Sequence, residues 1–287
     1  MKALSGHTLP FAVLGHPIGH TLSPVMHNAA FQSLGMDALY MAFDVAPEAL
    51  LTVLASMKIM GFHGVNLTVP LKETAFKGLS NLAPSASMLG AVNTIEFTAT
   101  GLRGHNTDGK GFLTAVKEAF DFSVTGRTLF VMGCGGAGRA VAITAASEGA
   151  SKLILADIDE ARCRAVSRDI AILSPSVKVE WAGATATDWA SRTPEADLII
   201  QASPVGMKPE DVCPLPASAF RAGQFAFDLV YNRPVTCFTQ AAASGGARTS
   251  NGLGMLLHQG AEAFTIWTGK SAAVEVMRDS LKKALYG

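Results

Sequence analysis

The feature that most narrows the folds open to this 287-residue chain is an alternation of short apolar strands and helices across its second half. "RTLFVMG" (127–133) is an apolar run ending in glycine, and "AVAITAASEGA" (140–150) reads as a helix of small residues. The pattern continues through "KLILAD" (152–157), "EARCRAVSRDIAIL" (160–173), "VKVEWA" (177–182), "DLIIQAS" (197–203) and "QFAFDLV" (224–230). Strands that are apolar throughout, rather than on alternate positions, are buried on both faces, as parallel strands joined by helical crossovers are. The expected class is α/β, with a doubly wound parallel sheet.

The first hundred residues carry a separate, less regular α/β pattern. Strands are expected at "FAVLG" (11–15), "ALYMAFDV" (38–45), "GVNLTVP" (64–70) and "NTIEF" (93–97), with helices at 24–34 and 48–58. The glycine-rich, polar stretch "TGLRGHNTDGKG" (100–111) reads as a hinge between two halves. "MLLHQGAEAFTIWTG" (255–269) reads as an apolar helix that returns to the first half and closes a cleft. The expected domains are 1–108 with 252–287, and 109–251, a size for each that suits one core.

Composition removes several function classes. Basic and acidic residues balance at 23 each, which argues against a nucleic-acid groove or a membrane-binding polybasic surface. No stretch approaches the roughly 20 apolar residues needed to span a bilayer. The start, "MKALSGHTLPFAVLG", lacks a signal-peptide core. The four cysteines, Cys134, Cys163, Cys213 and Cys237, are scattered and form no CxxC pair. A soluble, cytoplasmic protein acting on a small molecule is expected, as a monomer or homodimer.

"GCGGAG" (133–138) follows an apolar strand and opens a helix, the setting in which G-x-G-x-x-G binds a dinucleotide. Gly133 and Gly135 allow a tight turn and close backbone approach, and Gly138 lets helix pack on strand. Gly136 and Ala137 lie where a helix N-terminus offers free N–H groups to a pyrophosphate. Asp157 ends the next strand, about 20 residues on, where an acid binds the adenosine ribose and repels a 2′-phosphate. Ile158 follows it, so NAD is favoured, with NADP possible; Arg162 and Arg164 nearby read as solvated helix residues. Cys134 reads as a small residue between glycines, with no resolving cysteine or activating base expected nearby.

In "GVNLTVPLKE" (64–73), alternation places Val65, Leu67 and Val69 on one face and Asn66 and Thr68 on the other, with Lys72 just beyond. Asn93 in "GAVNT", and Asn106 and Asp108 in "GHNTDGKG", add further polar groups; Asp108 can equally cap a helix. The stretch "GHPIGHTLSPVMHN" (15–28) admits three readings. Its histidines suggest a metal site, but no regular face gathers them, so none is expected. Ser23–Pro24 suits a helix start, with Ser23 as N-cap. The hydroxyls of Thr21 and Ser23 suit a pocket for a carboxylate.

Taken together, "GHPIGHTLSPVMHN", "GVNLTVPLKE", "GAVNTI", "GHNTDGKGF", "GCGGAGRA", "ASPVGM", "DLVYNRPVT" and "MLLHQGAEAFTIWTG" resemble, in order and over essentially the whole chain, the shikimate dehydrogenase family, including its quinate-using members. The resemblance implies a substrate-binding domain, a Rossmann-type cofactor domain, and an NAD(P)-dependent dehydrogenase acting at C3 of a hydroxylated ring carboxylate. It also implies a place in aromatic amino-acid biosynthesis. Lys72 matches the family's catalytic lysine and Asp108 its partner. Asn66, Thr68, Asn93, Asp108 and Gln259 match positions that hold ring hydroxyls, and Thr21 and Ser23 match those that hold the carboxylate. Ser203, Tyr231 and Met255 fall in segments resembling those near the nicotinamide and substrate; Trp267 reads as core.

Two departures bear on specificity. The family motif usually presents two serines, whereas this chain has Thr21 and Ser23; quinate-preferring members share threonine at the second position, which here is Ser23 and favours shikimate. NADP-using members generally carry an Asn–Arg pair where this chain has Asp157–Ile158. The competing readings are a quinate dehydrogenase, an enzyme for an amino-substituted ring, a non-catalytic NAD-binding sensor and a metal-dependent hydrolase.

Overall fold

The structure is a computed structural model that describes residues 4–287. The chain divides into two compact units, one formed by residues up to Gly111 together with Leu257–Gly287, the other by Phe112–Leu256.

In the first unit, β1 (Leu9–Gly15), α1 (Ser23–Ser33), β2 (Ala38–Asp44), α2 (Leu50–Ile59) and β3 (Gly64–Leu67) lead to α3 (Leu71–Gly78) and α4 (Pro84–Leu89). Strands β4 (Thr94–Thr98) and β5 (Gly101–His105) follow, and α5 (Asp108–Phe120) starts in this unit and leaves it. The sheet order is β2-β1-β3-β4-β5, with β1, β2 and β3 parallel and β4 and β5 antiparallel to their neighbours. Alternation along β1 sends Ala12 and Leu14 into an aliphatic core with Leu50, Leu54, Val65 and Leu71. Phe11 points the other way, against the rings of Phe31, His63 and Trp267. Gly64 is obligatory there: a Cβ on it would stand 2.3 Å from the Trp267 ring.

Several local expectations change. Residues 101–105 form β5, an outer strand, rather than a hinge. The alternation in "GVNLTVP" ends at Leu67, because the Leu71 N–H turns back to the Thr68 carbonyl. Val69 is therefore 72% exposed and does not share the buried face of Val65 and Leu67. Ser23 is the first residue of α1, not its N-cap, which is Leu22. The Thr21 hydroxyl instead accepts the Ser23 N–H at 3.3 Å.

The second unit runs β6 (Thr128–Met132), α6 (Gly136–Ser147), β7 (Lys152–Ala156), α7 (Glu160–Leu173), β8 (Lys178–Trp181), α8 (Ala186–Arg192), β9 (Leu198–Gln201), β10 (Phe225–Asp228), α9 (Cys237–Ser244) and β11 (Arg248–Ser250). All six strands are parallel, in the order β11-β10-β9-β6-β7-β8. Counted from β6, that is the 3-2-1-4-5-6 order of a doubly wound dinucleotide fold, and its switch point lies between β6 and β9. The three-residue β11 is not visible in the sequence pattern. Finally, α10 (Leu253–Thr268) and α11 (Val274–Tyr286) return the chain to the first unit, where α11 lies along α1. Among the described residues no helix is long and apolar enough to cross a membrane.

Candidate active site

Mixed strand direction explains why polar residues far apart in sequence meet in the first unit. Because β4 runs antiparallel, its first residue, Thr94, pairs with Asn66 near the end of β3 and with His105 at the end of β5. The turns after β3 and β5 and the residues before β4 thus gather at one edge of the sheet. Lys72 in the first turn of α3, Asp108 at the start of α5 and Asn93 just before β4 converge there.

Lys72 Nζ lies 2.6 Å from Asp108 Oδ2. Asn93 Nδ2 donates to Asp108 Oδ1 at 2.8 Å and to Thr107 Oγ1 at 2.9 Å, and stands 3.4 Å from Gln259 Oε1 on α10. Asn93 Oδ1 accepts the Thr107 N–H at 2.9 Å. Asp108 thus has one oxygen on a cation and one on a buried amide, so its carboxylate is directed at Lys72 rather than used as a helix cap. Lys72 and Asp108 keep 28% and 13% of their side-chain surfaces exposed, enough for a ligand to reach both. Charge-assisted bonds of this length are among the stronger ones in proteins.

A hydrogen-bonded series links this pair to the loop after β1. The Thr21 hydroxyl donates to Ser23 Oγ at 3.3 Å, and Ser23 lies within hydrogen-bonding reach of the Tyr40 hydroxyl. Tyr40, on β2, donates to Asn66 Oδ1 at 2.7 Å. Asn66 Nδ2 donates to Thr94 Oγ1 at 3.0 Å, and Thr94 donates to Asn93 Oδ1 at 2.9 Å. Burial raises the Tyr40 hydroxyl pKa well above its usual value, which keeps it a neutral donor. Tyr40, Thr94 and Thr107 were not singled out from sequence; only their burial and partners reveal them. Asn66 is buried with both amide hydrogens engaged, since its other partner is the Asn93 carbonyl at 3.1 Å. That leaves it a positioning role, with a spare lone pair on Oδ1. Thr68 sits apart from this series, its methyl packed toward Gly15.

The histidines of the loop and α1 diverge. His16 is exposed and meets Asp44 at 2.5 Å, whereas His27 is fully buried and stacked on Tyr40 at 4.4 Å. Among the described residues no group of three or more His, Cys, Asp or Glu side chains is placed to hold a metal ion.

In the second unit the glycine loop occupies the switch point. Gly133 has φ +96°, and a Cβ there would lie 2.7 Å from the Ser203 nitrogen. A Cβ on Gly138 would lie 1.8 Å from the Gly133 carbonyl oxygen. Gly135 and Gly136 face open space, and Gly135 N-caps α6 with no side-chain acceptor, leaving its first N–H groups, including that of Ala137, for an anion. These features fit a bound pyrophosphate.

Asp157 is buried. Its Oδ2 accepts the Cys134 N–H at 2.7 Å and its Oδ1 the Asp159 N–H at 2.9 Å. It therefore fastens the glycine loop to the end of β7, with one lone pair per oxygen remaining. Ile158 beside it is 80% exposed. Ser203 follows β9 and accepts the Val205 N–H, Tyr231 follows β10 with its hydroxyl pKa raised by burial, and Met255 is buried at the start of α10. Trp267 packs in the first unit's core and donates to the Ile95 carbonyl at 2.9 Å. The expectation that Cys134 lacks a resolving cysteine is overturned: Cys163 Sγ, on α7, lies 3.5 Å away.

Comparison with known proteins agrees with this architecture. Residues 13–95 match the model of the shikimate dehydrogenase substrate binding domain, and residues 252–282 that of the shikimate 5′-dehydrogenase C-terminal domain. The chain is 43% identical to a shikimate dehydrogenase (NADP(+)) of Moorella thermoacetica, over 96% of this chain and 92% of that one. It is 39% identical to the protein of the same name from Methanopyrus kandleri, over 99% and 98% of the two chains. Among solved structures, shikimate 5-dehydrogenase from Listeria monocytogenes, in complex with shikimate and NAD, superposes with a TM-score of 0.91 at 34% identity, covering 98% of this chain and 99% of that one. On the strength of these matches along nearly its whole length, the chain belongs to the shikimate dehydrogenase family.

Proposed function

We propose that this NAD(P)-dependent oxidoreductase is a shikimate dehydrogenase that interconverts the C3 hydroxyl of shikimate and the corresponding ketone, with NAD as its preferred cofactor. In this reading the first unit binds substrate and the second binds the dinucleotide. The observation that carries it is the Lys72–Asp108 pair, 2.6 Å apart, with Asn93 fixing the far oxygen of Asp108.

A bound nicotinamide supplies the hydride acceptor or donor. The chain's own residues must then manage the proton on oxygen. Lys72 is the group for this: its ammonium donates a proton to the oxygen during ketone reduction, and its amine accepts one during alcohol oxidation. Asp108 keeps Nζ aimed through a charge-assisted bond, and Asn93 keeps Asp108 from rotating. Thr21 and Ser23 offer hydroxyls to the substrate carboxylate, while Thr68, Asn93, Asp108, Gln259 and Tyr231 supply polar groups for ring hydroxyls. A site of paired polar groups selects a polyhydroxylated ring, because an analogue without the hydroxyls leaves those groups unpaired.

The cofactor preference rests on Asp157 and Ile158. A buried carboxylate beside an exposed aliphatic side chain repels a 2′-phosphate and offers it no cation. The Moorella and Methanopyrus relatives carry NADP(+) in their names, and the Listeria structure contains NAD, so the question is open to a direct assay. Initial rates of shikimate and quinate oxidation with NAD and with NADP decide it. The highest kcat/KM is expected for shikimate with NAD. A strong NADP preference refutes the cofactor assignment, and a preference for quinate refutes the substrate assignment.

A further inference from the structure

Two cysteines that the proposed reaction does not use lie side by side in the second unit. Cys134 sits inside the glycine loop and Cys163 in the first turn of α7, with their sulfur atoms 3.5 Å apart and no disulfide between them. A disulfide needs about 2.0 Å, so closing the pair requires about 1.5 Å of relative movement. We propose that Cys134 and Cys163 form a peroxide-sensitive dithiol whose oxidation to a disulfide displaces the glycine loop and weakens dinucleotide binding. The proposal rests on reading that loop as the pyrophosphate site.

Both thiols are buried, and chemistry rather than exposure favours Cys163 as the sulfur oxidised first. It lies against a groove of about 500 Å³ lined also by Leu155, Arg164, Arg168, Val179 and Trp181. Its thiol is drawn below the ordinary range by the hydrogen bond it shares with Cys134, against burial and the opposing charges of Asp157, Asp159 and Glu160. Cys134 is pushed up by that same hydrogen bond, by burial and by the negative charges of Cys163 and Asp157. The Cys163 thiolate is the nucleophile in the first step, and Cys134 sulfur, losing its proton as it attacks, in the second. Cys163 sulfur attacks one oxygen of hydrogen peroxide, the O–O bond breaks, and hydroxide leaves and takes a proton to become water. The resulting sulfenic acid is attacked by Cys134 sulfur, the S–O bond breaks, and the departing hydroxide takes the Cys134 proton. Two thiols and one peroxide become one disulfide and two waters; sulfur is oxidised and peroxide oxygen reduced.

In the proposal the bond pulls on Cys134 and, through it, on the loop. The Cys134 N–H is bonded to Asp157, and the next residue, Gly135, caps α6. Displacement of recognition groups by about 1 Å can cost about a hundredfold, so a rise of about ten- to a hundredfold in the dinucleotide Kd is expected.

The test treats the reduced full-length protein with hydrogen peroxide, maps disulfides by mass spectrometry of a non-reduced digest, and measures NAD and NADP Kd by calorimetry before oxidation, after it, and after dithiothreitol. A Cys134–Cys163 linked peptide, weakened binding and recovery on reduction are expected, with Cys163→Ser retaining its affinity under peroxide. The thiols of Cys213 and Cys237 also lie within hydrogen-bonding reach, so a bond mapped only there overturns the proposal. So does a Cys134–Cys163 bond with unchanged Kd, or equal loss of affinity in Cys163→Ser. A reduced protein that binds neither dinucleotide overturns the reading of the loop itself, whatever the disulfide map shows.

Discussion

Gly138→Ala is the sharpest perturbation of the glycine loop, because the clash it creates is with backbone. The added methyl carbon would stand 1.8 Å from the Gly133 carbonyl oxygen, while side-chain Cβ atoms essentially never approach closer than 3.0 Å. Helix α6 and the loop must therefore separate by about 1.2 Å. Neither partner has slack. The Gly133 N–H is tied to the Ala156 carbonyl at 2.7 Å and the Cys134 N–H to Asp157, and Gly133 packs so closely on the Ala202–Ser203 backbone that a Cβ on it would lie 2.7 Å from the Ser203 nitrogen. Overpacking of this kind costs about 1–3 kcal/mol of stability. Misplacing the uncapped N–H groups of α6 by about 1 Å should weaken dinucleotide binding by about a hundredfold. Calorimetric titration of the variant with NAD and NADP reads the loss. Titration with shikimate is the control, since the residues proposed to bind it, apart from Tyr231, lie in the other unit. Wild-type dinucleotide affinity in a folded Gly138→Ala protein would refute the assignment of this loop.

Further outcomes follow from the polar series in the first unit. Asn93→Ala leaves the buried Thr107 N–H without its acceptor, a loss of about 1–3 kcal/mol in stability, and frees Asp108 to rotate. A fall in kcat of about ten- to a hundredfold is expected, and an unchanged kcat removes Asn93 from the positioning role. Tyr40→Phe keeps the ring against His27 but deletes the bond to Asn66, so KM for shikimate should rise while dinucleotide affinity holds. His27 has its pKa lowered to about 3 by burial, and among the described residues neither ring nitrogen has a hydrogen-bond partner. The unfolded chain binds its proton near 6.5, so stability falls as pH drops below that value toward 3, by about 2 kcal/mol at pH 5. Melting temperatures at pH 7.5 and pH 5 should diverge less for His27→Phe than for the wild type, and an equal divergence would refute the attribution.

The legible parts of this chain are those where side-chain pattern and burial coincide. Strands β6, β7, β9 and β10 are apolar over most of their length and buried because helices cover both faces, and the glycines at 133 and 138 mark backbone contacts that exclude a Cβ. The illegible parts have local physical causes. In β5, "GLRGH" carries two glycines and an arginine and is stabilised by pairing with β4 rather than by its own propensity. Thr68 and Val69 obey the alternation on paper, but a turn begins one residue after β3 and breaks it. The Lys72–Asp108 pair was visible through family resemblance, whereas its connection through Asn93, Thr94, Asn66 and Tyr40 depends on strand pairing that no local pattern encodes. Cys134 and Cys163, 29 residues apart, meet only because α7 packs beneath the loop.

The central claim is that Lys72 carries the proton. Its most direct test compares Lys72→Ala with the wild type for kcat of shikimate oxidation and, separately, for shikimate Kd by calorimetry. General acid–base groups contribute about 10²–10⁴-fold to rate, so kcat should fall within that range while Kd stays within a few-fold. A Lys72→Ala protein that turns over within a few-fold of the wild type, or that loses binding and turnover in equal measure, would contradict the account.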